Sequence, residues 1–517
     1  MEKEISILWT DDEIDLLKPY ILFLEEKGYV VSTANSGEEA LEQVRDKTFN
    51  LIFLDENMPG LSGLETLDRI KDLAPSVPVI MITKSEEEDI MDEAIGSKIA
   101  DYLIKPVNPK QILLTIKKHL DSRRLVTQKT TSTYQVQFGQ IGTLINTAAT
   151  FGDWVNVYKK LVYWEQELEE SDESGMNEVL GMQWAEANNG FNRYVKNNYR
   201  EWFKGGDREK PMLSFQVFRE AVYPLLKKGK VAMLVIDNLR YDQWKLIEQE
   251  INNSFRVEEE LIYCSILPTA TQYARNAMFA GMMPSEIKKR TPQYWIEEEE
   301  EQSKNQFEAE LLRDQMKRLG VKSTVNYEKI SNQKHGKRMV ENFSDILNFD
   351  LNVLVYNFVD MLSHARTEMD VIKELAYDDR TYRALTLTWF NNSYLLDFIR
   401  LLSKNNIQLV LTTDHGTIRV QNPVKVVGDR KTSTNLRYKQ GRNLSFPSKQ
   451  VFEINEPGEV LLPKSNVSTS YIFAGGYDYM VYPNNYNHFV NHYRNTFQHG
   501  GISLEEMVIP CVIMSPR

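Results

Sequence analysis

Cysteine is almost missing: the 517-residue chain has two, Cys264 and Cys511. So small a supply excludes a disulfide framework and a thiolate metal cage, and it fits a reducing compartment. Long apolar runs are missing too. Nowhere do 18 apolar residues run together, and the opening MEKEISILWTDDE has no basic stretch ahead of an apolar core. The expectation is a soluble, cytoplasmic protein without membrane insertion. The third absence is an excess of positive charge. Against 73 Asp and Glu stand 61 Lys and Arg, which excludes a broadly basic, nucleic-acid-coating chain. The deficit is local: residues 1–120 hold 24 acidic and 13 basic side chains, leaving 49 and 48 for the remainder. A uniformly acidic solvating chain is therefore excluded as well.

At roughly 100–200 residues per domain, the length predicts several domains. In residues 1–120, short apolar runs (Ile5–Trp9, Val30–Thr33, Leu51–Leu54, Val79–Ile82, Tyr102–Ile104) alternate with helically spaced stretches such as Asp15–Lys27 and Gly37–Lys47. That alternation predicts a doubly wound, flavodoxin-like α/β domain. Residues 121–206 carry aromatic and apolar residues at 3–4 residue spacing, as in Trp154, Val157, Tyr158 and Leu161, and predict a helical bundle broken at Ser171–Gly175. A further helix is expected over Phe215–Lys228. Residues 207–517 return to α/β alternation. Their strands Val231–Ile236, Val353–Val359 and Gln408–Thr412 are continuous apolar runs suited to a mostly parallel central sheet. The acidic run Glu297–Glu301 reads as a solvated loop.

Open parallel sheets bind ligands beyond the carboxyl ends of their strands, so the residue after each apolar run is informative. In the first domain these residues are Asp11 and Asp12, Asp55, Thr83 and Lys105. Crowded carboxylates repel, and a hard divalent cation relieves them. Mg2+ held by Asp11, Asp12 and Asp55 would also neutralise an incoming phosphoryl group, with Thr83 and Lys105 on its oxygens. Asp11-Asp12, the run Asp55-Glu56-Asn57-Met58-Pro59-Gly60, Thr83 and Lys105-Pro106 resemble the full signature of a two-component receiver domain. The resemblance implies that Asp55 is the phosphoacceptor, that a sensor histidine kinase is a partner, and that Thr83 and Tyr102 relay phosphorylation. Lys84 departs from the pattern, because receivers usually carry a small residue there.

In the last segment the residues after the apolar runs are Asp237, then Asp360 with His364 four residues on, then Asp414 and His415. Carboxylate and imidazole without thiolate suit Zn2+ or Mn2+ better than Mg2+. Thr271 opens a helically spaced run, Gln272–Gly281, where its hydroxyl would sit at the positive end of a helix dipole. His499 stands beside Gly500 and Gly501, which permit close backbone approach. Asp237, Thr271, Asp360 with His364, Asp414-His415-Gly416 and His499, in this order, resemble the alkaline phosphatase superfamily. Asp237-Asn238-Leu239-Arg240-Tyr241-Asp242 and the terminal His499-Gly500-Gly501-Ile502-Ser503-Leu504-Glu505-Glu506 narrow the likeness to PglZ-type domains. With a receiver in front, the whole chain resembles the PorX-type response regulators of type IX secretion systems.

This resemblance implies two zinc ions, one on Asp360, His364 and His499, the other on Asp237, Asp414, His415 and the Thr271 hydroxyl. Thr271 would be the nucleophile of a phosphodiesterase acting on short or cyclic oligonucleotides, through a phosphothreonyl intermediate. Arg240 and Asp242 would position substrate or support the ligands. Between Lys425 and Lys449 there are seven basic residues against one acid, which reads either as a mobile cationic loop that attracts a polyanion, with Tyr438 and Phe446 for base stacking, or as a solvated loop that only keeps the protein soluble. The alternative is a non-catalytic adaptor whose phosphorylated homodimer binds a sigma factor or a secretion component. No basic recognition helix follows the receiver, so specific duplex DNA binding is not expected.

Overall fold

A computed structural model of the chain describes residues 5–75, 77–84, 99–171, 174–205, 209–298, 300, 302–429 and 432–517. The chain forms two compact units, Met1–Thr133 with Glu170–Asp172, and Tyr134–Glu169 with Glu173–Arg517. Among the described residues no helix is long and apolar enough to cross a membrane.

In the first unit, β1 (Ile5–Thr10), β2 (Tyr29–Ala34), β3 (Leu51–Asp55), β4 (Val79–Thr83) and β5 (Asp101–Ile104) form a parallel sheet ordered β2-β1-β3-β4-β5. Alternate side chains serve opposite faces. Leu8, Ile52 and Leu54 pack with Leu41, Leu67 and Ile70, whereas Trp9, Phe53 and Ile80 pack with Ile112 and Ile116. Serines start two of the helices: Ser36 Oγ accepts from Glu39 N at 3.3 Å, and Ser62 Oγ from Glu65 N at 3.2 Å. Every expected strand is present. β1, β3 and β4 run one residue further than expected, so Thr10, Asp55 and Thr83 are their last residues.

The expected bundle appears as helices Ser122–Thr147, Phe151–Ser171 and Ser174–Asn198, with residues 172 and 173 of the anticipated break outside the described set. Its apolar side chains from Tyr134 onward share one core with the sheet that follows. Two polar contacts tie the last of these helices, and the residue just past it, to distant loops. The Tyr199 hydroxyl accepts from Leu267 N at 2.8 Å, and Asn188 Oδ1 accepts from Leu504 N at 2.9 Å.

The central sheet of the second unit contains β6 (Val231–Ile236), β7 (Phe255–Cys264), β8 (Val325–Ile330), β9 (Leu351–Tyr356), β10 (Gln408–Thr412) and the C-terminal strand Val508–Pro516. Their order is β7, C-terminal strand, β10, β6, β9, β8. β8, β9, β6 and β10 are mutually parallel, and only the C-terminal strand runs against its neighbours. β6 and β9 are buried along their whole length, as continuous apolar runs require.

Four expectations change. β9 ends at Tyr356, and Phe358 and Val359 already belong to helix Phe358–Glu368; an apolar run cannot reveal where an extended chain turns helical. Phe215–Lys228 is three short turns of differing pitch, Ser214–Gln216, Phe218–Val222 and Tyr223–Leu226, because Pro224 has no N–H for the carbonyl one turn back. The basic stretch is partly folded inward. Tyr438–Gly441 pairs with Ser470–Ala474, Arg437 is fully buried on Glu506 at 2.6 Å, and Lys439 is buried over the Tyr482 ring at 4.4 Å. Arg430 and Lys431 lie outside the described residues, while Lys425, Arg442 and Lys449 are exposed. Finally, Glu298 is not merely solvated: it accepts from Tyr438 Oη at 3.0 Å.

Gly190 tests the packing of the bundle. A Cβ there would lie 2.4 Å from Trp154 Cη2, and an indole cannot swing away cheaply. Gly190→Ala should therefore destabilise the protein by about 1–3 kcal/mol despite alanine's better helix propensity, as read by urea denaturation.

Candidate metal centres

The strand ends bring the titratable residues of the second unit together. Asp237 follows β6, Asp414 and His415 follow β10, and one ligand atom from each lies within 4.8 Å of the others. A second group, Asp360, His364 and His499, meets the same spacing. Asp360 and His364 are one turn apart on helix Phe358–Glu368, so both project from one face. Thr271 is the first residue of helix Thr271–Ala280. Its Oγ lies 3.1 Å from His415 Nε2 and 3.5 Å from Asp237 Oδ1. The His415 and His499 rings stack at 4.3 Å, which places the two groups side by side.

Hydrogen bonds orient both imidazoles. His415 Nδ1 lies 3.2 Å from the Gly416 carbonyl and His499 Nδ1 lies 3.1 Å from the Thr269 carbonyl. A carbonyl only accepts, so each ring carries its proton on Nδ1 and turns the Nε2 lone pair inward. Burial, reinforced by His415 and His364, holds His499 well below the usual imidazole range, which keeps it neutral. Burial raises Asp237 above the usual carboxylate range against the pull of Arg275, with Asp414 adding to the rise. Asp360 is pushed up to about 6, first by burial and then by Asp237. Asp414 Oδ2 is buried without a hydrogen-bond donor. Converging lone pairs, crowded carboxylates and an unsatisfied carboxylate oxygen fit divalent cations.

Two glycines are fixed by geometry. A Cβ on Gly416 would lie 2.0 Å from the Glu505 carbonyl oxygen, and Gly500 has φ +124°. The acids of the terminal motif are structural: Glu506 accepts from Gly501 N at 2.8 Å and pairs with Arg437, which holds the His499 loop.

Arg240 and Asp242 are buried and paired with each other, and both border a cavity of about 820 Å³ together with Glu165, Asp379 and Glu505. Arg240 is buried, pairs with Asp242 at 2.5 Å and with Asp379 at 2.7 Å, and forms the floor of the loop after Asp237. Tyr438, expected to stack on bases, is buried. Two important residues escaped the sequence reading. Asn238, at φ 66°, reaches from Asp414 Oδ1 to Asp360 Oδ1 at 3.4 Å each, so it bridges the two groups. Arg275, fully buried, lies 2.8 Å from Asp237 Oδ2 and 2.7 Å from Glu308 Oε1. An Asn directly after a strand-end Asp, and an Arg four residues after Thr271 on one helix face, were the available signals.

In the first unit, Asp11, Asp12 and Asp55 offer ligand atoms within 4.8 Å of one another. Lys105 Nζ bridges Asp11 at 2.9 Å and Asp55 at 2.6 Å. Burial raises Asp55 above the usual carboxylate range despite Lys105. Burial disfavours the Lys105 ammonium, but Asp55 and Asp11 outweigh it and raise its pKa. The Thr83 hydroxyl donates to the Glu56 carboxylate, and the Tyr102 ring is exposed.

Comparison with known proteins divides the chain into three. Residues 217–514 match the BREX system PglZ alkaline phosphatase-like domain, residues 124–203 the PorX response regulator linker domain, and residues 7–117 the response regulator receiver domain. Among curated proteins, the transcriptional regulatory protein ZraR of Klebsiella oxytoca is 39% identical over 140 residues, 27% of this chain and 32% of that protein. The alginate biosynthesis transcriptional regulatory protein AlgB of Pseudomonas syringae pv. tomato is 36% identical over 124 residues, 24% of this chain and 28% of that protein. The chain thus spans about a third of the length of these relatives. Among solved structures, a CheY-like receiver domain protein from Methanospirillum hungatei is 31% identical, covering 23% of this chain and 95% of its own, with a TM-score of 0.23.

The raised Asp360 pKa has a defined consequence. Between about pH 4 and 6 the folded, metal-free protein keeps a proton on Asp360 that the unfolded chain has released. Asp360 therefore costs nothing below about pH 4 and destabilises by about 2–3 kcal/mol above pH 6, and Asp360→Asn should remove that slope from metal-free denaturation curves. A cation displaces the same proton. Zinc affinity should rise with pH across this window with proton release, as calorimetry in buffers of different ionisation enthalpy would record.

Proposed function

Because the chain belongs to the PglZ alkaline phosphatase-like family, in the arrangement of a PorX-type response regulator, we propose that it is a phosphorylation-controlled phosphodiesterase acting on short or cyclic oligonucleotides in the service of type IX secretion. One observation carries the reading: the Thr271 hydroxyl, at a helix start, lies within 3.5 Å of both Asp237 and His415. No other hydroxyl described above stands so close to both a carboxylate and an imidazole of one ligand group.

Asp360, His364 and His499 would hold one zinc ion, and Asp237, Asp414, His415 and Thr271 the other. When bound, the pair supplies positive charge that lowers the hydroxyl pKa and offsets charge on the phosphoryl oxygens. Thr271 Oγ forms a bond to phosphorus as the bond to the leaving alcohol breaks, which leaves a diester between Thr271 and the remaining nucleotide, and its hydrolysis releases that nucleotide as a monoester and restores the hydroxyl. Asn238 and Arg275 keep the carboxylates in register. The carbonyls of Gly416 and Thr269 hold the Nδ1 protons, so His415 and His499 present Nε2. Lys425, Arg442 and Lys449 remain to attract a polyanion.

In the receiver, a sensor histidine kinase would phosphorylate Asp55, with Mg2+ held by Asp11, Asp12 and Asp55, and Thr83 and Tyr102 would pass the change toward a homodimer. A second reading, an adaptor that binds a sigma factor or a secretion component, draws on the exposed Met361, Met369, Leu375 and Tyr377 around the Asp360 helix.

Zinc-loaded protein incubated with a cyclic dinucleotide, a linear oligonucleotide and an aryl phosphodiester should hydrolyse the nucleotides, and Thr271→Val should lower the rate at least about a hundredfold. Equal rates in both proteins would refute the nucleophile. For the receiver, acetyl phosphate should change the oligomeric state of the wild type and not of Asp55→Ala, as read by light scattering. A response retained by the variant would remove Asp55 from the role.

A further inference from the structure

The carboxyl rim of the central sheet holds more than the metal centres. Asp237, Asp414 and His415 follow β6 and β10, Asp360 and His364 lie on the helix after β9, and β8 flanks β9 on its outer side. Where β8 and β9 end, at Ile330 and Tyr356, there is a cavity of about 270 Å³. Helix Gln333–Glu341 borders it with Gly336, and a Cβ built on that glycine meets nothing closer than 3.4 Å. The missing side chain at 336 thus helps keep the space open.

The walls are flat and aromatic. Phe358 and Trp389 stack at 4.4 Å with their planes 3° apart, and Tyr394 adds a further ring. No lining residue is charged, and the polar ones are amides and hydroxyls such as Asn332 and Ser393. Tyr356 is 5% exposed, and its buried hydroxyl has no hydrogen-bond partner. A buried donor left without an acceptor costs free energy that a ligand can recover.

These features select an occupant. A phosphate or other ion is excluded by the uncharged lining, and a saturated hydrocarbon would leave the tyrosine hydroxyl unsatisfied. We propose that this cavity binds a neutral, planar heteroaromatic ring of nucleobase size, stacked along the aromatic wall with a ring acceptor on the Tyr356 hydroxyl. The site is separate from the metal ligands. Neither Asp360 nor His364 lines it: Phe358 and Met361 project from their helix about a third of a turn away from the two ligands. The ring is carried either by a free nucleoside or by a base of the oligonucleotide being cleaved, and in both cases it rests against the flank of the helix that presents two metal ligands.

The test is a titration of the zinc-loaded, full-length protein with adenosine and guanosine, read by calorimetry, with ribose 5-phosphate as the control. Nucleoside binding without ribose 5-phosphate binding is expected. Gly336→Leu, which fills the cavity, should weaken it at least about tenfold, and Tyr356→Phe, which removes one hydroxyl and keeps the ring, about five- to tenfold. Absence of nucleoside binding by the parent protein, or binding untouched by both variants, overturns the proposal. Hydrolysis then separates the two sources. If Gly336→Leu raises KM for a dinucleotide but not for an aryl phosphodiester, the ring belongs to the substrate; if both KM values stay fixed while nucleoside binding is lost, it is a free ligand. Because binding is read without turnover, failure here leaves the phosphodiesterase reading intact, and an inert enzyme would leave this site standing.

Discussion

Three aspartates gathered at one rim are the constraint that the second unit is built around. Asp237, Asp360 and Asp414 are brought together in a buried setting, and their mutual repulsion must be met by something. Arg275 meets part of it, held in turn by Glu308, which also accepts from Tyr327 on β8. Asn238 meets another part from a left-handed backbone conformation, donating its backbone N–H to Asp414 and its side-chain amide to Asp360. Asparagine tolerates that conformation better than most residues. What remains is a deficit of positive charge that inward-facing imidazoles cannot supply, because burial keeps His499 neutral.

The same economy of charge extends behind the site. Arg383 is buried between Glu165 and Glu169 of the bundle and Asp242 of the helix Tyr241–Ile251 that follows β6, and Asp242 and Asp379 fix Arg240. Arg419 closes the chain on Asp379 at 2.9 Å. Burial pushes Glu165 up to about 8 in spite of Arg383. A run of alternating charges therefore leads from the helix Phe151–Ser171 to the loop that begins with Asp237. Removing one member would strand its neighbour in a medium where an unpaired charge is costly.

Much of this was legible in the sequence because the carboxyl ends of buried parallel strands are marked by abrupt polar residues. Asp55, Asp237 and Asp414 stand at or just past the end of a continuous apolar run, and that break marks the strand end to within a residue or two. The method failed wherever the chain turned before the apolar pattern did. Phe358 and Val359 continue the apolar run of β9 but are helical, which is why Asp360 lies on a helix and not at a strand end. Local charge counting failed for Arg437 and Lys439, because a partner such as Glu506 is distant in sequence. Arg240 shows the converse: a residue just past a strand end can turn inward onto two acids, Asp242 and Asp379.

The contacts of Tyr199 and Asn188 bear on how this architecture can be divided. Leu267 precedes the helix that opens with Thr271, and Leu504 follows the loop that carries His499. Their backbone N–H groups are satisfied by side chains from the helical region, 68 and 316 residues away. Cut free at the apparent sequence boundary, the catalytic sheet would carry two buried donors without acceptors, each costing about 1–3 kcal/mol. The alkaline phosphatase-like half is thus not a portable cassette to which another segment was appended. The helices complete its walls, and any recombination that exchanged the receiver for another input would have to take the bundle with the sheet.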